Sequence, residues 1–296
     1  MIFLSIWKKS MRKTLIVNGD SWTHGSEIFD PTLDKSINDY DLENDEYRIP
    51  KIYPTHLSNI LDCDLVNLSW PADDNKSILN RTISYLTENY IKPKKSTKDL
   101  FVIVGWTSPE RNSFWWKDDK FNSTFRLWPH DPHFFSPLQK EFWEIYVTCM
   151  WNEEEYIPRY IMDVLTLQNF CDSNNIKWLC FNAFSCESKS KQPFCSWGES
   201  LDVRKSLKSI PYIGNSHITT NKIEGRDNYR LNYLSVWDTI DKIRFYKKNQ
   251  KNNTFKGFID KNVNKKYRWN GIHPSPRSHE LWAKELYNYI QDNNLL

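Results

Sequence analysis

Asn18-Gly19-Asp20-Ser21-Trp22-Thr23-His24-Gly25 directly follows the apolar run Leu15-Ile16-Val17. The run has the length and composition of a buried strand, so Gly-Asp-Ser falls on a tight turn at that strand's carboxyl end. In parallel α/β sheets, that edge is where ligands bind. Such a turn exposes a serine oxygen while nearby backbone N–H groups point into the same space. Gly-Asp-Ser is also ordinary turn composition, and alone it does not select a chemistry. A second segment near the other end does more: Asn270-Gly271-Ile272-His273-Pro274-Ser275, followed by an amphipathic helix.

Outward from the first turn, the chain alternates strand and helix signals. Residues 12–18 read as the first strand, Asp64-Leu65-Val66-Asn67-Leu68 as a second, Leu100 to Gly105 as a third and Ile176 to Phe181 as a fourth. Ile52 to Leu61 reads as a short helix. Ile78, Ile83 and Leu86 suit another, running to about Tyr90. Leu138 to Asn174 reads as two helices divided near Pro158, because proline breaks the hydrogen-bond ladder. In the closing helix Leu281, Trp282, Leu286, Tyr289 and Ile290 mark one face, with His279 on its surface. Residues 26–50 are acidic and read as a solvated loop. The pattern predicts a three-layer α/β/α sandwich around a central parallel sheet, with the first strand inside it. No internal repeat or low-complexity linker appears, so residues 1–296 read as one domain with insertions at about 108–137 and 185–266.

Composition bounds the function. The chain has 296 residues, 39% hydrophobic and 15% aromatic, enough for a sizeable core. A formal net charge of +3 implies neither a nucleic-acid nor a membrane partner. The basic stretch from Lys242 to Arg268 reads as a solvated face. The six cysteines form no C-x-x-C pair and no zinc spacing, and read as buried thiols in a reducing compartment. No metal and no cofactor is called for. The apolar start Ile2 to Trp7 is shorter than a secretory core, and its positive charges come after it. No run reaches transmembrane length. The expected location is cytoplasmic or virion-associated.

With both ends in view, the chain resembles the SGNH (GDSL-type) hydrolase superfamily, closest to uncharacterised members common in phages and marine bacteria. The first block is Gly19-Asp20-Ser21-Trp22-Thr23-His24-Gly25, and the last is His273-Pro274 with Ser278 to Ala283 behind it. Val66 to Asn75 resembles the second block and Gly105 to Arg111 the third. The resemblance implies an α/β/α fold with flavodoxin-like strand order. It also implies a Ser21 nucleophile, a His273 base, and an oxyanion hole from the N–H groups of Ser21 and Ala72 with Thr107.

Three departures bear on activity. Ala72 stands where the family has a glycine, a mild change unless the turn needs positive φ. Thr107 stands where the family has an asparagine donor, and its single proton can be committed elsewhere. Asn270 stands where the family has an acid three residues before the histidine. Either Asn270 or a backbone carbonyl orients His273, or Asp20, Asp73 or Asp74 supplies the missing carboxylate, or the site has decayed. His24, Trp22 and Arg111 are candidates for substrate binding, with an ion pair the competing role for Arg111. The aromatic residues from Phe114 to Phe135 read as a sugar-stacking platform or as an extra apolar layer under the insert. The expected activity is hydrolysis of acyl esters, favouring O-acetyl groups on carbohydrate. The partner is then an acylated small molecule or polysaccharide. The alternative is a binding or structural protein, such as a virion component, that keeps the fold and little activity.

Overall fold

The computed structural model describes residues 12–34, 42–109, 111–117, 122–127, 136–146, 153–183, 233–247 and 253–296. The chain begins with β1 (Thr14–Asn18), the one-turn α1 (Ser21–His24), α2 (Leu42–Arg48), α3 (Tyr53–Leu61), β2 (Asp64–Asn67) and α4 (Asn75–Leu86). It continues through β3 (Leu100–Trp106), β4 (Asn112–Lys117), β5 (Asn122–Leu127), α5 (Pro137–Ile145), α6 (Glu153–Ser173) and β6 (Lys177–Asn182). It ends with α7 (Tyr233–Thr239), α8 (Phe255–Asn262), β7 (Trp269–Asn270), β8 (His273–Pro274) and α9 (Pro276–Asp292).

Four strands form one parallel sheet in the order β2-β1-β3-β6, with β1 inside it. This is the expected architecture. Successive side chains of a strand point to opposite faces, and both faces here are apolar. Ile16, Val102, Val104 and Trp178 pack with Leu79 of α4, Ile161 and Val164 of α6, and Trp237 of α7. Leu15, Val17, Phe101, Ile103 and Phe181 pack with Leu57 of α3, Ile259 of α8, and Trp282 and Leu286 of α9. Each such side chain contributes about 1.5–3 kcal/mol on burial. Helices on both faces make the three layers, and they leave the strands' carboxyl edge to loops.

The differences from the sequence reading have physical causes. Helix α2 lies in the stretch read as a loop. Its anchors are buried polar groups: Asn44 donates to Ile28 O at 2.9 Å and accepts from Asp30 N at 2.9 Å. No apolar period announces such a helix. Pro158 lies inside α6 and does not end it. Tyr160, Ile161, Val164, Leu167 and Cys171 are all buried on that helix, which outweighs the roughly 3 kcal/mol a proline costs in a helix interior. The first insert carries the antiparallel β4–β5 hairpin, built from strand-favouring aromatic residues. Of the stretch read as the second insert, 185–232 and 248–252 lie outside the described residues. In the rest of it, Phe245 and Thr254 bridge in parallel to Cys180 and Asn182 on β6. Phe245, Tyr246, Phe255, Ile259 and Val263 are buried, so the basic stretch also carries core.

His279 is the other correction. It is buried, not on the helix surface; its ring stacks on Tyr53 at 6.0 Å, and Nδ1 accepts from Tyr53 N at 3.2 Å. The buried stripe of α9 is wide enough to take in Ser278 and His279 as well as the apolar face. Burial, with His56, His273 and Arg48 nearby, pushes His279 down from 6.5 to about 3. His24 is pushed to about 3 by burial, then by Arg48 and His273. Both rings are therefore neutral in the folded protein where the unfolded chain takes up protons. Their contribution to stability is full above pH 6.5 and is lost as pH falls toward 3. Each ring supplies a slope of up to about 1.4 kcal/mol per pH unit in that window. Urea unfolding between pH 7 and pH 4.5 should lose stability on this slope, and His279→Asn should flatten it.

Candidate active site

The Ser21 turn is built by the end of β1. Asn18 has no solvent exposure; its amide donates to Ile78 O and Thr82 Oγ1, both at 2.9 Å, and its oxygen accepts from Gly19 N at 2.8 Å. Asn18 thus fastens the strand end to α4. At Gly19 a Cβ would stand 2.1 Å from Thr23 Oγ1, so only glycine lets α1 fold back over the strand. Asp20 caps α1, accepting from Trp22 N at 3.0 Å. Ser21 is the first helical residue, and the turn closes on Gly25 at φ 83°. Among the described residues the Ser21 hydroxyl makes no hydrogen bond.

Two residues expected to face substrate are consumed by this turn. Thr107 Oγ1 donates its one proton to Asp20 Oδ2 at 2.6 Å, which removes it from the oxyanion donors. Its backbone is clamped by Asn75, which accepts from Thr107 N at 2.9 Å and donates to Thr107 O at 3.2 Å. Arg111 Nη1 donates to the same Asp20 oxygen at 2.9 Å, a buried ion pair. The ion-pair role of Arg111 is therefore the one found. Trp22 is also internal, with its ring 5.8 Å from Phe255 and 5.4 Å from Trp269. It packs in the core.

His273 sits on β8, which packs against α1. The carboxylate beside it is one the sequence reading missed. His273 Nδ1 lies 3.0 Å from Glu27 Oε2, without an aligned hydrogen bond between them. The same oxygen accepts from Ile272 N at 2.8 Å and from His273 N at 3.0 Å. Asn270 pairs with His273 through the short β7–β8 ribbon, but its side-chain amide donates to Glu27 O at 3.1 Å. Asn270 therefore holds the backbone of Glu27, not the imidazole. The other candidate carboxylates are committed elsewhere: Asp20 as above, Asp73 to Arg81, and Asp74 to Ser77 N at the start of α4.

Glu27 and Ala72 both adopt the left-handed region, at φ 65° and φ 60°. That conformation costs an ordinary side chain roughly 1–2 kcal/mol. The second-block turn does need positive φ, so the loss of glycine at 72 is not mild. Ala72 keeps its N–H, which makes no hydrogen bond among the described residues. His24 is buried, 6.3 Å from the ring of Trp70. Trp70 is 47% exposed, and Ile272, next to His273, is 72% exposed. Phe114 packs on Phe142 at 5.4 Å and Tyr146 at 5.5 Å, as a layer on α5. The side chains of Trp115, Trp116 and Phe125 are not described, and Phe121, Trp128, Phe134 and Phe135 lie outside the described residues. Among the described residues no three His, Cys, Asp or Glu side chains converge as metal ligands, and no helix is long and apolar enough to cross a membrane.

Residues 30–227 match the family of unknown function DUF6071. The chain belongs to that family. The matched span leaves out Ser21, Glu27 and His273, so membership in DUF6071 assigns them no role. No curated protein matches the chain. In fold this DUF6071 protein is similar to SGNH/GDSL hydrolases of solved structure. One is a carbohydrate esterase family 2 enzyme with a carbohydrate-binding domain from Corynascus thermopiles (Myceliophthora fergusii): TM-score 0.44, 10% identity, covering 95% of this chain and 66% of that one. Another is a psychrotrophic esterase from a Pseudoalteromonas species: TM-score 0.42, 10% identity, 95% and 97% covered. A third is a GDSL-like lipase from Bacteroides thetaiotaomicron: TM-score 0.42, 10% identity, 95% and 88% covered.

Two substitutions test this geometry. Ala72→Gly should raise stability by about 1 kcal/mol in denaturant unfolding, because glycine occupies positive φ without strain. Asn270→Asp loses the bond to Glu27 O and sets a second carboxylate near Glu27. It should lower the melting temperature and should not raise hydrolysis of a small acetyl ester.

Proposed function

We propose that this protein is a serine ester hydrolase in which Ser21 attacks an acyl carbonyl and His273 accepts its proton. The observation that supports the reading is the packing of the Ser21 turn against the His273 strand at the carboxyl edge of a parallel sheet. Neither Ser21 Oγ nor His273 Nε2 is used in a hydrogen bond with a described residue, so both are open to substrate. Ser21 Oγ forms the acyl bond and gives its proton to Nε2. The imidazolium then hands that proton to the departing alkoxide, and water repeats the cycle on the acyl-enzyme. The N–H groups of Ser21 and Ala72 bind the oxyanion.

Magnitudes set the expected rate. Losing one oxyanion donor costs about 10²–10³ in rate, and the Thr107 hydroxyl is already committed to Asp20. Two backbone donors then give slow but measurable turnover. The favoured substrate is an O-acetylated carbohydrate. Its support is the half-exposed Trp70, a flat apolar face on which a sugar ring can lie. The Phe114 layer does not contribute, since it is occupied by α5. The committed Thr107 proton also favours a second reading, a binding or structural protein with the same fold.

Purified protein, Ser21→Ala and His273→Asn should be compared on p-nitrophenyl acetate and an acetylated oligosaccharide, at matched melting temperatures. The natural protein should hydrolyse both, and the two variants should fall to the buffer rate. A natural protein no faster than Ser21→Ala on several acyl esters hands the case to the binding-protein reading.

A further inference from the structure

We propose that Glu27 is the positioning carboxylate of His273, delivered by the loop after the nucleophile and not by the segment that precedes the histidine. The reaction it serves is the ester hydrolysis proposed above; the pairing itself stands on geometry alone.

Four contacts build the pairing. Glu27 Oε2 lies 3.0 Å from His273 Nδ1, which leaves Nε2 for Ser21. That oxygen also accepts the backbone N–H groups of Ile272 and His273, at 2.8 and 3.0 Å. The carboxylate is therefore pinned to the backbone of the residue whose ring it faces. Asn270 holds the Glu27 carbonyl at 3.1 Å, so both ends of the residue are docked on the β7–β8 ribbon. At Gly271, φ 58°, a Cβ would stand 2.5–2.8 Å from the three carboxylate atoms. The ribbon carries a glycine where a side chain would evict Glu27.

The chemistry follows from that placement. Once the contact aligns, Nδ1–H donates to the carboxylate, which selects the tautomer whose Nε2 lone pair is free to take the Ser21 proton. When Nε2 is protonated, the ionised Glu27 stabilises the imidazolium; the proton then leaves with the alkoxide and Glu27 stays ionised throughout. The unaligned resting contact tightens when substrate docks, as such contacts commonly do. The other groups facing His273 are His24 on α1 and His279 on α9, with Arg48 of α2 behind them. Both histidines are held neutral by burial, with pKa values of about 3, and Arg48 keeps its charge. Neither histidine carries a charge near neutral pH. Removing Glu27 thus leaves His273 facing neutral rings and a cation.

Glu27→Gln is the test, because the amide oxygen still accepts the two backbone N–H groups and the fold is kept. Ring resonances of His273, identified by their loss in His273→Asn, are titrated by NMR in the natural protein and in Glu27→Gln. The His273 pKa should drop on amidation. In parallel, kcat for p-nitrophenyl acetate should fall about 10²–10³-fold, below the roughly 10⁴-fold loss seen when a buried triad aspartate is amidated, with KM little changed. The acid limb of kcat/KM should move to lower pH. An unshifted His273 pKa overturns the pairing whatever the activity. A shifted pKa with natural-protein kcat retained overturns the positioning role. A shifted pKa in a protein no faster than Ser21→Ala upholds the pairing and sinks the hydrolase reading instead. If Glu27→Gln melts early, Gly271→Ala, which displaces the carboxylate without removing it, must lower the His273 pKa in the same way or the proposal fails.

Discussion

Asp20 has no solvent exposure, and the site is arranged around its carboxylate. One oxygen accepts the Trp22 N–H at the start of the Ser21 turn. The other accepts Thr107 Oγ1–H and Arg111 Nη1–H from the loop beyond β3. An ionised carboxylate taken out of water costs several kcal/mol unless its lone pairs are met, and here three donors from two segments meet them. The result is more a fixed geometry than a gain in stability: an apolar replacement of the whole set could be as stable. Asp20 joins the turn that carries Ser21 to the loop after β3. Residue types that suit substrate contact, a threonine hydroxyl and an arginine, are spent on this joint.

The parts of this protein that were legible in its sequence are those fixed by local pattern. Leu15-Ile16-Val17 and Leu100 to Val104 are continuous apolar runs, and a strand covered on both faces requires such a run. Ser21 and His273 stood out because each sits on a turn whose glycine, proline and polar spacing is a local signal. Glu27 carries no such signal. It meets a segment 245 residues away, in a backbone conformation that glutamate seldom adopts. Helix α2 was missed because Asn44 and Arg48, not an apolar stripe, anchor it; Arg48 reaches the His24 carbonyl and Asp45. His279 was misplaced because the buried stripe of α9 takes in a polar edge that period counting assigns to solvent. Pro158 misled for the opposite reason, since packing of the rest of α6 outweighed a correct local preference.

Glu27 and Ala72 share a strained φ at the same edge of the sheet, and the comparison shows how the strain is held. At Glu27 the backbone carbonyl accepts from Asn270, and the carboxylate accepts two ribbon N–H groups. Hydrogen bonds of this kind contribute about 0.5–1.5 kcal/mol each, and more when charged, which exceeds the roughly 1–2 kcal/mol of a left-handed glutamate. At Ala72 the turn carries the long Asp73 N–Trp70 O contact of 3.5 Å, weaker than any of the three bonds at Glu27. The first position is over-determined by its own contacts. The second is held through its neighbours, among them Trp70 N on Gly19 O, Asp73 on Arg81 and Asp74 on the start of α4. Strain that the surrounding structure holds in place is the pattern of positions whose backbone direction matters, and at Ala72, φ 60°, that direction sets where an N–H unpaired among the described residues points.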